Sequence, residues 1–143
     1  MSNLYVMDAC AMIALLKNEA GANVVADAYK NAKSGNAKIV MNRVNLLEVY
    51  YGFYHADGKE YAEKILSGIT NSIVSITEFD KVLFPIAGRL KASYKISLAD
   101  SIALAQAIVV NGELLTTDHH EFDIIESNES IVFIGLDEFL YYS

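Results

Sequence analysis

Residues 97–118 read SLADSIALAQAIVVNGELLTTD, and the fold class turns on how this stretch divides. From Ser97 onward it is helical in pattern and apolar almost throughout, until Gly112 stops it. A short β-prone run, ELLTTD (113–118), follows at once and ends in an aspartate. A helix passing directly into a strand is the repeating unit of an α/β layer.

The alternation continues outward in both directions. LYVMD (4–8), AKIVMN (37–42), SIVSITEF (72–79) and IVFIGL (131–136) read as further strands. Helical segments lie between them at 9–19, 20–34, 44–56, 59–69 and 81–95, the last with the only proline, Pro85, near its first turn or at a kink. Strands alternating with helices pair in parallel through helical crossovers, so the class is α/β. No linker, repeat or low-complexity segment interrupts the pattern. Residues 1–143 are expected to form one domain, long enough to bury a core.

With 53% hydrophobic and 20% charged residues, the chain reads as a globular protein rather than a disordered one. Cys10 is the only cysteine and rules out an internal disulfide, which points to a reducing cytoplasm. The most apolar stretch, IALAQAIVV (102–110), is too short to span a bilayer, and no membrane association is expected. The net charge of −7 is uneven: residues 113–143 hold 8 of the 18 acids and no Lys or Arg. That counts against general binding of a polyanion. It leaves room for a phosphate substrate held through divalent cations, which reverse the local sign.

Four carboxylates bear the chemistry. In an open parallel sheet the ligand crevice lies outside the carboxyl ends of the strands. Asp8 ends the first strand and Asp118 a later one, so parallel pairing carries both to the same edge. Two roles are open to each, capping the next helix or binding a ligand. Asp100 sits in Ser97-Leu98-Ala99-Asp100, a capping-box pattern, and from the first turn it can also face the crevice. Glu48, within VNLLEVYYG (44–52), is flanked by Leu46, Leu47, Val49, Tyr50 and Tyr51. It either occupies a narrow solvent stripe or is held by a partner, because a buried carboxylate needs one. Converging acids of this kind repel unless cations join them, and hard oxygen donors suit Mg²⁺ or Mn²⁺. The reaction class suggested is metal-assisted phosphodiester hydrolysis.

His119 and His120 do not form a zinc pair. Adjacent side chains diverge, and neither Cys10 nor His55 completes a ligand spacing. The aromatic run YYGFY (50–54) reads first as core and interface, and second as a surface for stacking bases. Arg43, Arg89, Lys91 and Lys95 either line a phosphate path or form a solvated face.

Three segments, YVMDACAMIALLKNE, VNLLEVYYG and ISLADSIALAQAIVVNGELLTTDHHEF, together resemble the PIN-domain ribonucleases, and in particular the VapC-type toxins of toxin–antitoxin pairs. The resemblance implies a PIN-like three-layer α/β/α domain with a central parallel sheet flanked by helices. It implies an acidic site of Asp8, Glu48, Asp100 and Asp118 that binds Mg²⁺ or Mn²⁺ and cleaves RNA. Asp8 and Asp100 would be the main metal ligands, with Asp118 joining directly or through water. Glu48 would orient water or complete a second metal's shell. A homodimer and a cognate antitoxin partner are further implications. One position departs from the pattern: Cys10 stands where the family usually has Ser or Thr, and a thiol is the weaker hydrogen-bond partner. Two other functions compete. One is a PIN-like scaffold for RNA or protein that has lost its chemistry. The other is a metal-dependent phosphatase, which lacks the acid or late lysine that such enzymes need.

Overall fold

The computed structural model describes residues 3–116, 123–129 and 132–135. In chain order the elements are β1 (Asn3–Met7), α1 (Ala9–Lys17), α2 (Ala22–Lys33), β2 (Ala37–Asn42), α3 (Arg43–Asp57) and α4 (Lys59–Thr70). There follow β3 (Ser75–Thr77), α5 (Leu83–Ser93), α6 (Leu98–Val110), β4 (Glu113–Thr116), α7 (Asp123–Glu129) and β5 (Val132–Gly135).

Period-two alternation puts Tyr5 and Met7 on one side of β1 and Val6 on the other. Ile39 and Met41 of β2 and Leu115 of β4 join Tyr5 and Met7 in a core packed by α1 to α4. Val6 and Leu114 join a second core made with α5, α6 and α7. A sheet buried on both faces is the layered arrangement expected of parallel strands. Met7, Met41, Leu114 and Leu115 are fully enclosed, and each such side chain contributes about 1.5–3 kcal/mol.

All strand pairs are parallel, in the order β3-β2-β1-β4-β5. From the central β1 the chain winds outward through β2 and β3, then returns to place β4 on the other side. The order therefore reverses between β1 and β4, and at such a switch point a crevice opens at the carboxyl ends. The fold class expected from the sequence is the one observed.

Local detail differs from the sequence reading at three places. Strand β3 spans Ser75–Thr77 rather than 72–79. Ser72 instead closes α4: its hydroxyl donates to the Ile69 carbonyl at 2.6 Å and accepts the Val74 amide at 3.2 Å. Helix α5 begins at Leu83 because Asp80 accepts the Val82 and Leu83 amides, leaving Pro85 in the first turn, where its missing N–H is harmless. The helix weighed after Asp118 is α7, which spans Asp123–Glu129. At the α6–β4 link Asn111 takes the left-handed cap (φ 53°). A Cβ on Gly112 would lie 3.0 Å from the Leu4 carbonyl oxygen. Gly112 is thus required for close approach of this turn to β1. Among the described residues no helix is long and apolar enough to cross a membrane.

Candidate active site

Registers place the candidate residues. Met7 pairs with Leu115, and Asn42 at the end of β2 pairs with Thr77. Asp8 follows Met7, and its amide donates to the Leu115 carbonyl at 3.5 Å. The carboxyl ends of β1, β2 and β4 therefore share one edge, with strands about 4.8 Å apart.

Asp8 is 2% exposed, and its Oδ1 accepts the Ala11 amide at 2.8 Å. The N-cap of α1 is thus realised, and it fixes the carboxylate at the mouth of the crevice. Asp100 is half-buried in the first turn of α6, where the Ser97 hydroxyl accepts its amide at 3.0 Å. That contact is one half of the capping box, and it turns the helix start toward the same edge.

Glu48 is half-buried on α3, at the border of an exposed face that carries Leu47, Tyr51 and Tyr54. Burial raises its carboxyl pKa above the ordinary value, the nearby Asp100 charge raises it further, and the Asn45 side chain opposes both. The two acids from different helices are thus brought within electrostatic reach of each other. Among the described residues, no group of three or more His, Cys, Asp or Glu side chains is gathered closely enough to hold a metal. The structure pairs Glu48 with Asp100 and sets Asp8 on the same edge. Asp118, with His119 and His120, lies outside the described residues.

Sequence reasoning missed the amides that join these helices. Asn45, wholly buried and one turn before Glu48, donates through Nδ2 to the Ala99 carbonyl at 3.1 Å. Its Oδ1 is buried and has no hydrogen-bond partner among the described residues. An orphaned carbonyl of that kind costs about 1–3 kcal/mol. Asn42 caps α3, accepting the Val44 amide at 3.0 Å, and donates to Gln106 Oε1 at 3.3 Å. The same Gln106 oxygen accepts the Thr77 hydroxyl at 2.8 Å. This buried knot fastens the start of α3, the middle of α6 and β3 to one another. The available signal was a polar residue at position i−3 from Glu48 in an otherwise apolar helix.

The two arginines are committed to other partners. Arg43 pairs with Glu78 beyond β3. Arg89 binds both Glu129 oxygens, at 3.1 and 2.7 Å, and Tyr94 donates to Glu129 at 2.6 Å, tying α7 to α5. Phe53 of the aromatic run is buried against Tyr61, while Tyr51 and Tyr54 are exposed. Cys10 is half-buried in the first turn of α1.

A family model described as PIN domain matches residues 5–126. No curated protein matches the sequence. Among solved structures the chain is similar to VapBC2 from Rickettsia felis bound to a promoter DNA fragment. That match has TM-score 0.72 and 19% identity, covering 92% of this chain and 98% of that one. It is similar to VapBC-1 from nontypeable Haemophilus influenzae, with TM-score 0.71, 19% identity and 94% and 98% coverage. It is also similar to VapC20 of Mycobacterium tuberculosis, described as a sarcin–ricin loop cleaving toxin, with TM-score 0.65, 12% identity and 88% and 95% coverage. At these identities the likeness establishes the fold.

Proposed function

This chain belongs to the PIN-domain family, and from that premise we propose that it is a divalent-metal-dependent endoribonuclease, the toxin of a toxin–antitoxin pair. The observation that carries the reading is the juxtaposition of Glu48 with Asp100 at the carboxyl edge of the sheet, beside the buried Asp8. Two acids that repel each other in a half-buried setting are stabilised by a shared cation. Carboxylate oxygens are the donors that Mg²⁺ and Mn²⁺ prefer, so the donor set fits such an ion.

Asp8, Glu48, Asp100 and Asp118 would hold the cation, with Asp8 and Asp100 as principal ligands. When bound, the ion supplies an acidified water and positive charge for an in-line displacement at phosphorus. Asp8, held by its cap, presents a fixed carboxylate rather than a mobile one. Glu48 orients the attacking water or completes the shell of a second cation. The acidic pair reads phosphate rather than base, so target selection rests with surfaces beyond the four acids. A cognate antitoxin accompanies this reading, supported by likeness to a structure solved as a toxin–antitoxin complex; a homodimer and residence in the cytoplasm are proposed with it. Residues 1–143 act as a single domain.

The test is cleavage of RNA by the purified protein with Mg²⁺ or Mn²⁺. Asp8→Asn and Asp100→Asn are each expected to abolish it while leaving the unfolding transition cooperative. Cleavage that persists in both variants or in excess chelator would refute the reading. A wild type that neither cleaves nor binds Mn²⁺ would favour the non-catalytic scaffold, for which Cys10 at a hydroxyl position is the supporting observation.

A further inference from the structure

Two helices carry the acids that the site pairs, α3 with Glu48 and α6 with Asp100, and buried amides fasten one helix to the other. At the start of α3, Asn42 donates to Gln106 Oε1 at 3.3 Å. One turn on, Asn45 Nδ2 donates to the carbonyl of Ala99, the residue before Asp100, at 3.1 Å. Asn45 also lies three residues before Glu48, on the same face of α3. The donor end of its amide faces the Glu48 carboxyl too, and lowers that group's pKa against the opposing effects of burial and Asp100. The amide nitrogen carries two hydrogens, one for each neighbour.

A structural bond between helices does not account for this residue. Asn45 is wholly buried, and its Oδ1 has no hydrogen-bond partner among the described residues. An unsatisfied buried acceptor costs stability, and an apolar side chain of similar shape would avoid that cost. Such a change would not orphan the Ala99 carbonyl, because in the first turn of α6 it also accepts the amide one turn on. What only the amide supplies is a fixed link between Glu48 and the residue beside Asp100. Side chains that must keep a productive geometry are held by neighbours of this kind.

We propose that Asn45 is a positioning residue of the site, whose buried amide nitrogen spans the Glu48 side chain and the Ala99 carbonyl and so sets the spacing of Glu48 from Asp100. It touches neither substrate nor cation and acts through Glu48. The proposal rests on the ribonuclease reading above and deepens it.

Proton–nitrogen NMR of the full chain in chelator reads the link directly, since the two side-chain amide protons of Asn45 give separate signals. Glu48→Ala is expected to shift one of them and to leave in place the one bonded to Ala99. Two unmoved signals would overturn the proposal. The second arm compares thermal unfolding with RNA cleavage, at a temperature where every protein is folded. Asn45→Leu, and Asn45→Ala in case leucine overpacks, are expected to lower kcat about tenfold or more, with KM within about threefold of wild type. The leucine variant should unfold at the wild-type temperature or above it. A lowered Tm with wild-type kcat would overturn the proposal and leave a purely structural asparagine. Absence of cleavage by wild type would remove the ribonuclease reading, and this proposal with it. Cleavage by wild type that both Asn45 variants match would remove this proposal alone.

Discussion

Replacing Glu48 by Gln should stabilise the metal-free protein at neutral pH while disabling it. Gln keeps the shape of the side chain and removes its charge, which burial and Asp100 both disfavour. Like charges about 4 Å apart repel by about 1 kcal/mol in water and about 4 kcal/mol at an effective dielectric of 20, which bounds the effect from above. Glu48 is only half-buried, so solvent screening discounts the upper figure, and the Asn45 contact offsets part of the rest. A net gain of about 1 kcal/mol remains, or about 3 °C in Tm for a chain of this size. The sign with pH follows from linkage. The folded pKa of Glu48 lies above the ordinary glutamate value of 4.5, so the folded state binds the proton more tightly. Wild-type stability from this group is fully present below pH 4.5 and is lost as pH rises through the folded pKa. Denaturant titrations in chelator at pH 4 and pH 7 should therefore show near-equal stabilities at the lower pH and the variant ahead at the higher. Adding Mn²⁺ should reverse the order, because a ligand at ten times its Kd stabilises by about 1.4 kcal/mol and the variant binds it less well. A variant less stable than wild type at pH 7 without metal, or a difference independent of pH, would refute the reasoning.

Other perturbations test other joints of the molecule. Glu129 has its pKa lowered by Arg89 first and Tyr94 second, so its contribution is present above pH 4.5 and lost as pH falls through the lowered value. Glu129→Gln should cost about 1 kcal/mol at pH 7 and nothing in strong acid, as read by denaturant titration. Gly112→Ala forces a methyl against the Leu4 carbonyl oxygen at 3.0 Å and should cost about 1–3 kcal/mol. Gly52→Ala, where a Cβ meets nothing within 4 Å, should stabilise α3 by about 0.5–1 kcal/mol. Finding the two glycines alike in thermal scans would contradict the packing described. Cys10→Ser, which supplies a stronger hydrogen-bonding group near Asp8, should raise metal-dependent cleavage. An unchanged rate would mean that the site does not use a hydroxyl there.

How far the structure was legible beforehand depends on whether the information is local. The parallel layering followed from short apolar strands such as LYVMD alternating with helices, and AKIVMN became β2 with the expected bounds. The strand order was not legible, because nothing local tells β4 to pair with β1 rather than β3. SIVSITEF looked like eight residues of strand because Ile73, Val74, Ile76, Thr77 and Phe79 make it β-prone, yet the Ser72 hydroxyl captures its first residues for the end of α4. Gly112 was read as a helix stop. The stop itself is Asn111 in the left-handed conformation, and Gly112 answers to contact with β1. For the site, Asp8 and Asp100 were expected from a strand end and a helix start, and Glu48 from being an acid inside an apolar helix. The capping and ligand roles of Asp8 and Asp100 could not be separated, since one geometry serves both. Asn45 showed only as a polar residue in an apolar helix, because its partner is the Ala99 carbonyl, 54 residues away.

The most direct measurement is a gel-resolved cleavage assay of defined RNA by wild type, Asp8→Asn and Asp100→Asn, with Mn²⁺ and again with excess chelator. Discrete cleavage by wild type with metal, and none in chelator or in either folded variant, is the expected result. Equal cleavage by all three proteins, or cleavage indifferent to chelator, would contradict an acidic metal-dependent ribonuclease site at this edge of the sheet.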